Sequence, residues 1–285
     1  MRRSGTPVAL VVLTATVLVP WAAGCASEPR AYVSPERLAD GLVVSLGGVG
    51  GYNWGTRWLR KGLDEAGVNA AIVIYDWSKG PGGLFVGDLV DEARNRAAAE
   101  NLARTVSAYA AAMPQRPITL IGHSGGAAIV VWALEDLSET CCVDRVILLA
   151  PALTPGYDLS AALKRVDKRL YVMYSPGDVG LMAAGTAVFG TMDRAHSVSA
   201  GLAGFDMPPA ADRKQYLKVR QVSWTLNLLR AGHMGGHMGW TTTRFARDFL
   251  APILMGQNDP GEPMVVVREP AGGSRTCDPH ERTGG

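Results

Sequence analysis

Gly122-His123-Ser124-Gly125-Gly126 is the stretch of this chain whose residue types point most directly to chemistry. A serine hydroxyl can attack a carbonyl carbon when it stands clear of its own backbone and a base takes its proton. The pentapeptide alone is a weak signal in a chain that holds 34 glycines. Its setting strengthens it. Ile118-Thr119-Leu120-Ile121 ahead of it reads as a strand, and Gly125, Gly126, Ala127 and Ala128 open a helical pattern with very small side chains. A serine at a sharp strand-to-helix turn needs that smallness, because larger neighbours would collide with the strand or the helix. The base must come from five histidines. His123 lies inside the pentapeptide, His280 in the C-terminal stretch and His196 in a Gly-, Ala- and Met-rich loop. His233 and His237 stand together in Ala231-Gly232-His233-Met234-Gly235-Gly236-His237-Met238-Gly239-Trp240. Their spacing invites a zinc reading, but Met-Gly-Gly between them neither builds a stable helix nor supplies a general-base carboxylate. No metal and no cofactor is expected.

The elements that must position these residues read as an alternation. Apolar runs bounded by Gly, Pro or polar residues predict buried strands at Leu42–Leu46, Ala71–Tyr75, Ile118–Ile121, Val146–Ala150, Leu170–Tyr174 and Leu217–Trp224. Helical patterns fall at Trp54–Glu65, Asp88–Met113, Gly126–Leu137 and Thr242–Leu250. Strands alternating with helices predict an α/β fold, a mostly parallel sheet with helices on both faces. Residues 179–212 lack a clear period and are read as a small cap segment over the site. Residues 258–285, rich in Pro and Gly, are read as a tail outside the fold, which leaves a domain over 40–257.

Leu46-Gly47-Gly48-Val49-Gly50-Gly51, directly after the first strand, resembles the His-Gly-x-Gly-Gly loop of α/β-hydrolases, with Gly47 where histidine is common. No Gly-Lys-Ser/Thr follows, which disfavours a phosphate-binding loop. Together with the serine pentapeptide, this identifies the chain over about residues 40–255 as similar to the α/β-hydrolase serine hydrolases of the esterase and lipase type. The resemblance implies a fold and a chain order of Ser, acid, His. By that order Ser124 is the nucleophile. Its acid stands past the strand Leu170–Tyr174, at Asp178 in Ser175-Pro176-Gly177-Asp178. Asp158, Asp193 and Asp206 lie in loops with no strand directly ahead, and Asp76 comes too early and is assigned to the pocket mouth. The base follows the last strand, as His237, with His233 as the alternative. The oxyanion donors are the backbone N–H groups of Gly125 and Val49. The implied reaction is hydrolysis of an ester-type acyl bond through an acyl-enzyme. An acyltransferase would use the same groups, and a non-catalytic envelope lipoprotein would keep the fold as a binding module. Tyr52, Trp54, Trp58, Met182, Phe189 and Phe205 are candidates for the acyl pocket.

The first 24 residues read as an address rather than as fold. Met1-Arg2-Arg3 precedes an uncharged stretch, Pro7 to Gly24, which ends in Ala22-Ala23-Gly24-Cys25. That ending resembles the lipobox of bacterial lipoproteins, although Ala22 stands where Leu is preferred. It implies a signal peptide over 1–24, lipidation of Cys25, a tether over 25–39 and attachment to a membrane of the bacterial cell envelope, the outer membrane in a Gram-negative cell. Cys141, Cys142 and Cys277 remain, an odd number that forms no disulfide framework. The chain has 28 basic and 26 acidic residues, and two of the cations are Arg2 and Arg3. A near-neutral surface argues against nucleic acid as a partner; a small-molecule or lipid ester is expected instead.

Overall fold

Strands buried on both faces must lie inside a sheet covered on both sides, and the apolar runs are used in this way. This computed structural model describes residues 29, 31–51, 54–78, 88, 91–178, 191–194 and 198–264. β1 (Leu42–Leu46), β2 (Ala71–Ile74) and β3 (Ile118–His123) are buried at every position. They join β4 (Val143–Leu149), β5 (Val166–Tyr174) and β6 (Val219–Ser223) in a parallel sheet of order β2-β1-β3-β4-β5-β6. A two-residue strand, β7 (Glu262–Pro263), adds to β6 in the antiparallel sense. The expected α/β-hydrolase fold is the one observed.

The two faces carry separate cores. On one face lie the helices Glu92–Ala112 and Gly125–Asp136, packed against Val44, Leu46, Leu120, Val146, Leu148 and Val172. On the other, helix Trp54–Glu65 packs against the C-terminal helical segments over Val43, Ile72, Ile121, Ile147 and Tyr171. Those segments run as Thr243–Phe245, a π-helical turn Ala246–Leu250, and Ala251–Leu254. Gly62 makes this contact possible: a Cβ there would stand 2.7 Å from Ala246 Cβ.

Strand and helix ends shift by up to four residues from the sequence expectation, and three differences are larger in consequence. The long helix begins at Glu92, where the Asp91 side chain accepts from Arg94 N–H. Asp88 is buried and serves another purpose, given below. The chain does not leave the fold after residue 257, because Asp259 accepts hydrogen bonds from Tyr171 and Arg169 before β7 pairs with β6. Of the 179–212 segment, residues 179–190 and 195–197 lie outside the described residues. The described remainder belongs to the body of the fold. Helix Ala200–Ala203 follows Ser199 against the end of β4, Ala200 N–H donates to Leu153 O, and Met192 and Phe205 are core residues. Phe205 is therefore packing, not pocket lining. Cys141 is buried and Cys142 exposed, both as free thiols.

Candidate active site

Ser124 stands at the C-terminal end of β3, near the middle of the sheet, with φ 54° and ψ −120°. A side chain at positive φ costs on the order of 1–3 kcal/mol and persists only where its surroundings hold it. Here Ser124 N–H donates to Leu149 O, and Ser124 O accepts from both Ala127 N–H and Ala152 N–H. The glycines around it answer to close packing. A Cβ on Gly122 would lie 2.5 Å from Ala127 Cα, and one on Gly126 would lie 2.9 Å from Leu46 Cβ. Helix Gly125–Asp136 points its first N–H groups at the serine; such groups have no acceptor inside the helix and favour negative charge.

The glycine loop after β1 lies directly over this turn. A Cβ added to Gly48 would stand 3.1 Å from Ser124 Cβ and 3.5 Å from its Oγ. Val49, half-buried, is the next residue. Three side chains that sequence reasoning missed hold the loop. The Trp77 indole N–H donates to Gly47 O at 2.8 Å, and the same ring covers Gly125. Gly50 N–H donates to Asp88 Oδ2 at 3.0 Å. Arg94 closes the network by donating to Asp88 Oδ1 and to Trp77 O. Trp77 thus supports a loop that lacks the usual histidine at Gly47. Asp76 caps a local turn by accepting from Ser78 N–H and Oγ–H, and it lies under Gly51.

Asp178 follows β5 and is buried. His237 Nδ1–H donates to Asp178 Oδ2 at 2.7 Å. With Nδ1 as the donor, Nε2 carries the lone pair and is the nitrogen able to accept a proton. Among the described residues no hydrogen bond joins Ser124 Oγ to His237. In proteins without substrate such bonds are often long and close only in the complex. His123 ties the two parts together: its Nε2–H donates to His237 O at 3.1 Å, and the two rings lie 4.5 Å apart. Burial, with His237 beside it, pushes His123 down to about 3, so it stays neutral. Ser175 Oγ–H donates to Gly235 O and Trp224 Nε1–H to His233 O, which pin the histidine loop to the ends of β5 and β6.

His233 is placed differently. It is fully buried, its Nδ1 accepts from Gly235 N–H at 2.9 Å, and its ring meets Trp240 edge-on at 3.9 Å between centroids. Burial pushes it down to about 4. It lacks the carboxylate partner that His237 has. The expected groups Cys25, Tyr52, Met182, His196, Phe189 and His280 lie outside the described residues.

Residues 58–203 match the protein family described as "Alpha/beta hydrolase of unknown function (DUF900)". No curated protein matches the chain. Among solved structures, it is similar to lipase B of Aspergillus fumigatus at 15% identity and TM-score 0.49, covering 81% of this chain and 56% of that one. The chain therefore spans little more than half the length of that lipase. It is also similar to a lipase-esterase related protein from Clostridium acetobutylicum at 11% identity and TM-score 0.44, over 77% of this chain and 95% of that one. A third is a dienelactone hydrolase from Anabaena variabilis at 18% identity and TM-score 0.45, over 76% and 86%.

Proposed function

Because this chain belongs to the α/β-hydrolase family DUF900, we propose that it is a serine hydrolase that cleaves an ester-type acyl bond through an acyl-enzyme. The observation that carries this reading is the buried His237–Asp178 hydrogen bond of 2.7 Å on a loop tied to the strained Ser124 turn. Ser124 Oγ attacks the carbonyl carbon while His237 Nε2 takes its proton. The tetrahedral oxyanion is held by the N–H groups of Gly125 and Val49, the former at a helix N-terminus whose dipole favours negative charge. His237 then returns the proton to the leaving alcohol as the carbonyl re-forms. Water, activated by the same nitrogen, releases the acid and restores Ser124. Asp178 holds the imidazole in the tautomer that leaves Nε2 free and steadies the imidazolium that forms.

The test is direct. A fluorophosphonate probe should label Ser124, and Ser124→Ala should lose both labelling and p-nitrophenyl ester turnover. Labelling at another residue, or an active Ala variant, overturns the reading.

The same proposal places the enzyme on a membrane of the bacterial cell envelope through a lipid on Cys25, supported by the uncharged run Pro7 to Gly24 that ends at that cysteine. Intact mass of the mature chain should begin at an acylated Cys25, and Cys25→Ser should release or misprocess the protein.

A further inference from the structure

Among the described residues, six of the nine large apolar side chains left exposed stand on segments at one end of the sheet. Met234, Leu226 and Trp54 are the most exposed, at 79%, 72% and 67%, and Trp58, Leu229 and Met238 are exposed beside them in sequence. All six stand on segments that leave the C-terminal ends of parallel strands, the end that carries Ser124. Trp54 and Trp58 are one turn apart on helix Trp54–Glu65, rings 6.3 Å between centroids. Leu226 and Leu229 lie on the 3₁₀ turn Leu226–Ala231 after β6. Met234 and Met238 flank His237 on the loop between them. That loop crosses the sheet end from β6 to the 3₁₀ turn His237–Thr241, which packs on helix Trp54–Glu65. The six residues therefore stand at the same end of the sheet as the nucleophile, and are taken together below as a rim. Their helix and loop need no such exposure for packing, because Leu59, Leu63, Leu228, Trp240 and Phe245 already face the core.

The rim segments themselves carry cations and no carboxylate. Residues 47–63 and 224–247 contain no Asp or Glu, yet they carry Arg57, Arg230 and Arg244 among others. Arg57 lies over the Trp54 ring at 5.2 Å, and the largely exposed Arg244 pairs with Asp248 one turn further on, so Arg57 and Arg230 supply the positive charge of the rim. Tryptophan and arginine beside leucine and methionine suit a lipid–water boundary, where rings and methylenes enter the acyl region and cations meet anionic headgroups.

We propose that this rim docks the catalytic mouth onto an anionic phospholipid surface, so that the enzyme takes its ester from the bilayer rather than from solution. The proposal rests on the serine-hydrolase reading only for what happens at the mouth; the docking itself stands on the rim. The path of the chain agrees with it. Ile72 N–H donates to Tyr32 O, and the Arg60 guanidinium lies 4.3 Å above the Tyr32 ring. Tyr32 is thus placed beside the helix that bears Trp54, about 9 Å along its axis from Arg60. Tyr32 follows Cys25 by seven positions, a reach of at most about 25 Å. An anchor at Cys25 and a docked rim can engage one surface together.

The experiment uses the full chain on phosphatidylglycerol–phosphatidylcholine vesicles that carry a nitroxide-labelled phospholipid, with tryptophan emission as the readout. Emission should be quenched, and Trp54→Phe/Trp58→Phe should remove most of the quenching. In the Cys25→Ser background, where no acyl chain contributes, Leu226→Asp/Leu229→Asp should lower vesicle partitioning roughly tenfold. The same pair should leave hydrolysis of dissolved p-nitrophenyl acetate within about twofold, since neither leucine contacts the site. Quenching unchanged in the Trp variant, or partitioning unchanged in the Leu variant, overturns the docking. A dimer in vesicle-free solution that dissociates in the Leu variant assigns the rim to a second copy and also overturns it. Quenching that behaves as expected while Ser124 takes no fluorophosphonate overturns the hydrolase reading and leaves the docking in place.

Discussion

Two histidines four residues apart on one loop have been put to opposite uses. His237 is 8% exposed and faces Asp178, with its Nδ1–H committed to the carboxylate. His233 is 0% exposed, gives its Nδ1 lone pair to Gly235 N–H, and leaves Nε2 buried without a hydrogen-bond partner against the Trp240 ring. Residue type and loop are shared, so the difference lies in what faces each ring. A carboxylate fixes a tautomer that frees a basic nitrogen toward the site. An aromatic cage suppresses basicity and turns the imidazole into packing. A histidine is thus made a base by its second partner.

The sharpest way to break that comparison is to exchange the losses. His237→Gln should lower kcat by about 10⁴-fold or more, to the level of Ser124→Ala, because the three groups act as a unit. His233→Gln should cost tenfold or less in kcat and show its effect in Tm instead. If His233→Gln is inactive at full stability while His237→Gln turns over, the assignment is reversed. Next in size is Asp178→Asn, which keeps the shape of the contact but no longer favours the Nδ1–H tautomer. A loss of about 10³–10⁴-fold in kcat, with little change in KM, is expected from steady-state ester hydrolysis.

The parts of this architecture legible in the sequence are those that impose a local pattern. Runs such as Leu42–Leu46 and Ile118–Ile121 have the length and apolar continuity of buried parallel strands, and the sheet uses them so. Gly122, Gly125 and Gly126 announce a crowded turn, because each lacks a Cβ where one would meet strand, ring or helix. What could not be read is support that comes from elsewhere in the chain. Asp88 resembled a helix start by position, yet it is buried to hold Gly50 N–H from 38 residues away. Trp77 carried no motif, and only its place just past a strand end could have singled it out. β7 was hidden by its brevity and its proline: a two-residue edge strand has no period to detect. Nothing in Met-Gly-Gly between the histidines told which of them would meet the carboxylate.

A smaller effect should come from the glycine that lets His233 lie where it does. A Cβ on Gly239 would stand 2.6 Å from His233 Nδ1 and 2.9 Å from its Cγ. Gly239→Ala should therefore overpack the cage and lower unfolding stability by about 1–3 kcal/mol in denaturant titrations. Because Gly239 follows His237 by two residues, kcat is expected to fall less than in any substitution of His237 itself. A Gly239→Ala protein with unchanged midpoint would show that the cage is looser than its contacts imply.

The effect that tests both environments without mutation, and that stays small near neutral pH, is the response of stability to acid. His123 and His233 are held down to about 3 and about 4, in both cases first by burial. An unfolded histidine titrates near 6.5, so below that pH the unfolded chain binds protons that the folded chain does not. The folded state then loses ground as pH falls: each histidine contributes stability that is complete above about pH 6.5 and erodes toward its folded value. Per histidine the slope approaches about 1.4 kcal/mol for each pH unit once the unfolded ring is protonated, and it is well under that between pH 7 and 6. Urea midpoints measured from pH 7.5 to 5 should decline in this way. His233→Gln should reduce the dependence by one histidine's share while lowering the plateau. Equal pH dependence in wild type and His233→Gln would mean that His233 takes up a proton in the folded state, and with it the contrast between the two rings would fail.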